Sequence, residues 1–159
     1  MANYYTFTKT NWFRVNNEFT LKNILNKLVV IGDGDNTLIH NKYPCKESGY
    51  FYHQLLCYGD IVGPYNEETG DYEDIEEIFY RPLQKLLPEN TDVFALKYVG
   101  QEKLRFINAG YTIVTKEDIV YNNIDRVIEG AVKDLTGLSS IDIDFNYRAS
   151  ETEMLKEEI

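Results

Sequence analysis

Cysteine, positive charge and long apolar runs are all scarce in this chain, and each scarcity removes a class of protein. Two cysteines in 159 residues, Cys45 and Cys57, are too few for a disulfide framework, and neither has the spacing of a zinc knuckle. Buried or free thiols in a reducing compartment are expected. No window holds 18 apolar residues, and the start "MANYYTFTKTNWF" lacks the basic residues and apolar run of a secretory signal. The expectation is a cytoplasmic protein with no membrane contact. Sixteen Lys and Arg face 26 Asp and Glu, for a formal charge of -10. Such a charge repels phosphate backbones, so direct nucleic-acid binding is disfavoured. A basic protein surface, including one that ordinarily holds nucleic acid, is the complementary partner. Solubility alone is the commoner reason for a charge of this size.

Apolar content is ample. Hydrophobic residues make up 43% and aromatics 14%, with 13 Tyr and 8 Phe against one Trp. The length suits one domain with its own core. Asn17 can cap a helix in which Leu21, Ile24, Leu25 and Leu28 share a face. "LVVI" and "TLIH" flank "GDGDN" and read as two strands joined by a tight turn. "GYFYHQLLCYGDIVG" reads as one or two further strands. Residues 67 to 77, "EETGDYEDIEE", carry seven acids in eleven positions and open a helix. Its apolar stripe is Ile75, Ile78, Phe79, Leu83, Leu86 and Leu87, and Pro82 should interrupt it. "DVFALKYV" and "LRFINAGYTIVT" form a hairpin turning through "GQEK", with "DIVY" as continuation. A last helix places Ile124, Val127, Ile128, Ala131 and Leu135 on one face and ends at Gly137. Hairpins outnumber crossovers, so the fold class is α+β: a mainly antiparallel sheet of about five to seven strands with about three helices packed on it. A single domain over residues 1–138 is expected, followed by a short extension and charged tail over 139–159.

Asp33, Gly34, Asp35, Asn36, Thr37 and Leu38 follow an apolar strand and resemble the first motif of the haloacid dehalogenase-like phosphatases. That resemblance implies magnesium-dependent phosphotransfer with Asp33 as nucleophile and Asp35 as acid/base. Thr115 would supply the second-motif hydroxyl. Lys116 or Lys133, with Asp142 and Asp144, would complete the set, but at a cramped spacing for a parallel sheet. An EF-hand fails because Leu38 and Pro44 fall at its sixth and twelfth positions. A Gly-Asp-Gly-Asp-Asn cluster between apolar runs also meets the needs of a turn on its own. The turn is the expectation, and the phosphatase the alternative. His40 and His53 with Cys45 and Cys57 match no common zinc spacing, so neither metal nor cofactor is expected.

"TNWFRVNNEFTLKNILNKL", "YGDIVGPY" and "VGQEKLRFINAGYTIVT" resemble a loose group of small acidic proteins of bacterial phages and mobile elements. That resemblance implies an inhibitor in a bacterial cell that occupies the basic surface of a host defence enzyme, of the anti-CRISPR or antirestriction type. The residues that would serve are Glu67, Glu68, Asp71, Glu73 and Asp74, with Tyr58, Tyr65 and Tyr72; a solvated acidic face is the plain alternative. An immunity protein that neutralises a basic toxin would use the same features. Arg14 and Arg105, each among apolar neighbours, are read as paired with carboxylates at the sheet edge. The expected function is therefore binding without catalysis.

Overall fold

The computed structural model describes residues 5–32, 34–47, 49–102, 106–140, 143 and 145. In chain order its elements are β1 Tyr5–Thr10, β2 Phe13–Arg14, α1 Glu18–Leu25, β3 Val29–Ile31, β4 Ile39–Pro44, β5 Phe51–Cys57, β6 Asp60–Val62, β7 Tyr65–Asn66 and β8 Asp71–Tyr72. A π-helical turn, Glu76–Tyr80, then runs into α2 Arg81–Leu86. β9 Phe94–Glu102, β10 Phe106–Val114, β11 Ile119–Asn123 and α3 Ile124–Thr136 complete the chain. The main sheet is seven-stranded, with β11, β10, β9 and β1 side by side, β5 next to both β1 and β2, and β4 on the far side of β5. Its strand pairs are all antiparallel, which makes the fold α+β.

Alternation along β1 sets the two faces of this sheet. Thr6, Thr8 and Thr10 are buried, while Tyr5, Phe7 and Lys9 are exposed. That parity then reverses. Lys9 faces Leu56 and Phe13 faces His53, so four steps along the β1–β2 side match three along β5. The extra residue is a bulge, and it turns the odd-numbered Phe13 and Val15 inward. Two side chains stand in for the ladder across the break. The Thr10 hydroxyl accepts the Leu55 N–H at 2.9 Å. On the other side the Asn11 side chain accepts from the Ala95 N–H at 2.9 Å and donates to the Val93 carbonyl at 2.8 Å. Arg14, the next outward residue, donates twice to the Asp92 carboxylate at 2.9 and 2.7 Å. That is the carboxylate pairing expected of it; Arg105 lies outside the described residues.

The core lies between the inner sheet face and the helices. Phe94 meets Phe13 and Phe79 edge-on at 5.0 and 5.4 Å, and Leu21, Leu83 and Leu87 close around them. Edge-on pairs of this kind add about 0.5–1.5 kcal/mol each beyond area burial. Asn17 caps α1 by accepting the Thr20 N–H, and Leu21, Ile24 and Leu25 are buried as the spacing requires. Pro82 acts in the first turn of α2. Its ring crowds the carbonyl four residues back, and the preceding turn widens so that the Arg81 N–H bonds Glu76 O instead.

Three local readings need correction. "GDGDN" is not a hairpin turn: β3 pairs with β6, and β4 pairs with β5. Val30 sits opposite Ile61 and both are buried, whereas every residue of β4 is exposed. Pairing β3 with β6 therefore covers apolar area that β4 could not cover. The acidic stretch opens its helix only at its end, from Ile75; most of it is the β7–β8 hairpin, because Asn66 and Gly70 close a turn between two tyrosines. The β9–β10 hairpin forms, but Gly100 and Gln101 lie within β9, opposite Asn108 and Ile107. Thr10→Val tests the bulge. It leaves the buried Leu55 N–H unpaired without changing side-chain volume much, and a loss of about 1–3 kcal/mol in urea unfolding is expected.

Candidate functional site

The acidic hairpin is built from its turn outward. Asn66 Oδ1 accepts the Glu68 N–H at 2.9 Å, and Asn66 O accepts from Gly70 N–H at 2.9 Å. Glu67 and Glu68 therefore ride on the turn with their side chains in solvent. Tyr65 and Tyr72 face each other across the two strands, rings edge-on at 5.4 Å. The Asp71 carboxylate accepts the Tyr72 N–H, and Asp74 accepts Glu76 N–H at the helix start. Glu73 N–H bonds Pro64 O at 2.8 Å and ties the ribbon to the body. Its carbonyl lies so close to Gly63 that any Cβ there would collide with it.

Charge on this ribbon is left uncompensated. Glu67, Glu68, Asp71, Glu73 and Asp74 are all exposed and form no ion pair among the described residues. The remaining acids of the run share one cation, since Arg81 pairs with Glu76 at 3.5 Å and Glu77 at 2.9 Å. Five exposed carboxylates and two tyrosines thus lie within residues 65–74, on the hairpin and the two residues that follow it. Tyr58 does not join them. Its ring meets Phe7 edge-on at 5.4 Å and lines a groove of about 600 Å³ on the outer face of the sheet.

The residues of the phosphatase alternative are placed differently from one another. Asp33, Asp142 and Asp144 lie outside the described residues. Asp35 accepts the Thr37 hydroxyl, and Thr115 Oγ1 accepts the Asp118 and Glu117 N–H groups in the β10–β11 turn. β3 and β10 belong to separate antiparallel sheets, whereas the motif implies a parallel one.

Sequence reasoning missed a contact between the buried His53 and the exposed His40. His40 Nε2 lies 2.9 Å from His53 Nδ1, with the rings stacked at 5.1 Å. His53 Nε2 faces Glu18 Oε1 at 3.6 Å, and Glu18 also lies 3.5 Å from Lys42 Nζ. The signal was readable only with the register, which sets Lys42 opposite His53 and His40 one step further along the same inner side. Burial, then the neighbouring His40, push His53 down to about 4; Glu18 pulls the other way, and Lys42 adds a smaller lowering. Burial and Lys42 lower His40 as well. No cluster of three or more His, Cys, Asp or Glu able to hold a metal ion occurs among the described residues. Likewise, none of their helices is long and apolar enough to cross a membrane. No family model, curated protein or solved structure matches the chain.

The histidine pair makes stability fall with acid. His53 has a folded value below its unfolded value, so its contribution is complete above about pH 6.5 and is lost as pH falls toward 4. The wild type should lose about 3 kcal/mol from this group across that window in urea unfolding. His53→Leu should flatten the dependence there; an unchanged slope would remove His53 as its source. Gly63→Ala tests the tether of the hairpin. It should raise amide exchange across residues 65–74 while the exchange of β9 and β10 stays unchanged.

Proposed function

We propose that this chain is a non-enzymatic binding protein that docks its β7–β8 hairpin onto a cationic protein surface of the kind that holds nucleic acid. The observation that carries the reading is the grouping, within residues 65–74, of the Tyr65–Tyr72 pair and five exposed carboxylates that form no ion pair among the described residues. Carboxylates of this density attract a basic cleft from a distance and speed association, while the tyrosines offer rigid contact area with a polar tip. A hairpin suits the task better than a helix face would, because its turn can enter a cleft shaped for a phosphate backbone. The net charge of -10 acts in the same direction. Inhibition of a host restriction or CRISPR effector is the biological role that fits such docking. An immunity protein against a basic toxin would use the same surface.

Purified bacterial nucleases with cationic nucleic-acid clefts supply the test. The chain should slow DNA cleavage by at least one of them, and more strongly at low salt. Replacing Glu67, Glu68, Asp71, Glu73 and Asp74 together by Gln or Asn should cut the association rate about tenfold or more at low ionic strength and flatten its salt dependence. Exposed pairs contribute only about 0.2–1 kcal/mol each, so single replacements should do little. Equal rates and salt slopes for wild type and multiple variant would defeat the reading.

A further inference from the structure

Among the described residues, helices cover one face of the main sheet and leave the other face open. Across that outer face the register aligns Ile39, Leu56, Lys9, Lys97, Tyr111 and Asn122 in one row over six strands. Phe7, Val99 and Ala109 lie on one side of the row, and Ala95, Ile113 and Val120 on the other. Two grooves of about 600 Å³ flank the row and share both lysines. Lys9 and Lys97 are directly opposite each other on neighbouring strands, an arrangement that repels. Neither has a carboxylate within ion-pair distance among the described residues. In a chain with a surplus of acids, two adjacent cations without an acid partner mark a place where negative charge from outside would fit.

A second surface is equally uncovered. α3 buries none of its residues, although it is strongly amphipathic. Its apolar stripe consists of Ile124, Val127, Ile128, Ala131 and Leu135, and Leu135 is 86% exposed. At helical spacing Asp125 and Glu129 border one side of the stripe and Asp134 the other, while Arg126 and Lys133 lie on the opposite side. None of these acids forms an ion pair among the described residues.

We propose that the two uncovered surfaces are each other's partners in a two-fold dimer, with α3 of one copy lying across the outer sheet face of a second copy. The charges match: an apolar stripe rimmed by acids meets an apolar face centred on two lysines. The dimensions also match, since a helix of 13 residues is about 20 Å long and six strands span about 24 Å. The chain's own helix cannot serve. β11 ends at Asn123, which pairs with Gly110 and also caps α3, so no linker residue exists to fold the helix back over its own sheet. A two-fold arrangement uses each surface once per copy and closes.

Mass by light scattering and sedimentation over a dilution series, at physiological salt, reads the outcome. The wild type should reach twice the 18.6 kDa chain mass by about 0.1 mM. Lys9→Glu with Lys97→Glu, and separately Leu135→Asp, should each yield monomers; these positions are exposed, and circular dichroism checks the fold. A mixture of the two variants is the sharper measurement. The intact helix of the lysine variant still fits the intact sheet of the Leu135 variant, so the mixture should associate where neither does alone. Adding Asp125→Lys, Glu129→Lys and Asp134→Lys to the lysine variant should restore the dimer. A wild type that stays monomeric overturns the proposal, as does a dimer that survives both variants or a mixture that fails to associate. None of these changes touches residues 65–74, so the outcome is independent of hairpin docking.

Discussion

The rest of the structure depends on the extra residue between β1 and β2. A strand whose even positions face the core must hand over to one whose odd positions do, and a single bulge makes that change of parity. Without it Phe13 and Val15 would point into solvent, and Phe94 would lose its edge-on partner in the core. Bulges leave ladder groups unpaired, and here the residues at the break supply replacements. Thr10 serves the β5 side and Asn11 the β9 side. Trp12 rests its ring on Tyr43 at 4.7 Å, and Arg14 clamps Asp92 on the segment before β9. The short run Thr-Asn-Trp-Phe-Arg-Val therefore has a structural task at each position, which accounts for its unusual composition without any appeal to chemistry.

Parity also explains what is left uncovered. Once the threonines of β1 and the odd positions of β5 face inward, Phe7, Lys9, Leu56, Lys97 and Val99 must face outward. The three connections that could have carried a helix across that side are short: β9 to β10, β10 to β11, and β11 to α3. α1 and α2 are committed to the inner face by their buried leucines. An α+β sheet with all of its packed helices on one side then exposes the other, and the lysine row interrupts what would otherwise be a continuous apolar surface prone to unselective association.

Local signals carried well into the fold, and long-range ones did not. Asn17 and Gly137 named their helix ends because a cap is a contact within a few residues. The fold class was legible too, because hairpin signals are local and dominate this chain. The partner of β3 was not. Its choice between β4 and β6 rests on burying Val30 against Ile61, some thirty residues away, and no spacing rule reports such a comparison. The acidic run misled for a related reason: seven acids before an apolar stripe suit a helix start, yet Asn66 and Gly70 impose a turn first. Of the candidate residues, those within the hairpin came together because they are neighbours in sequence. Tyr58 was grouped with them by chain proximity alone; it sits in the turn between β5 and β6 and meets Phe7 on the outer face of the main sheet.

The separation of the two signs of charge has a physical consequence for how the two proposed surfaces would respond to salt. Two copies that each carry about ten negative charges repel at long range, and that repulsion grows as salt is removed because the screening length increases. Contact between α3 and the lysine row acts only at short range and relies chiefly on apolar area, which salt affects little. Attraction between the acidic hairpin and a basic cleft follows the opposite trend, strengthening as salt falls. Low ionic strength thus favours a cationic partner over a second copy, and higher ionic strength reverses the preference. A chain with exposed acids on one hairpin and an outer sheet face centred on two lysines would in this way keep the two proposed interfaces on separate contacts.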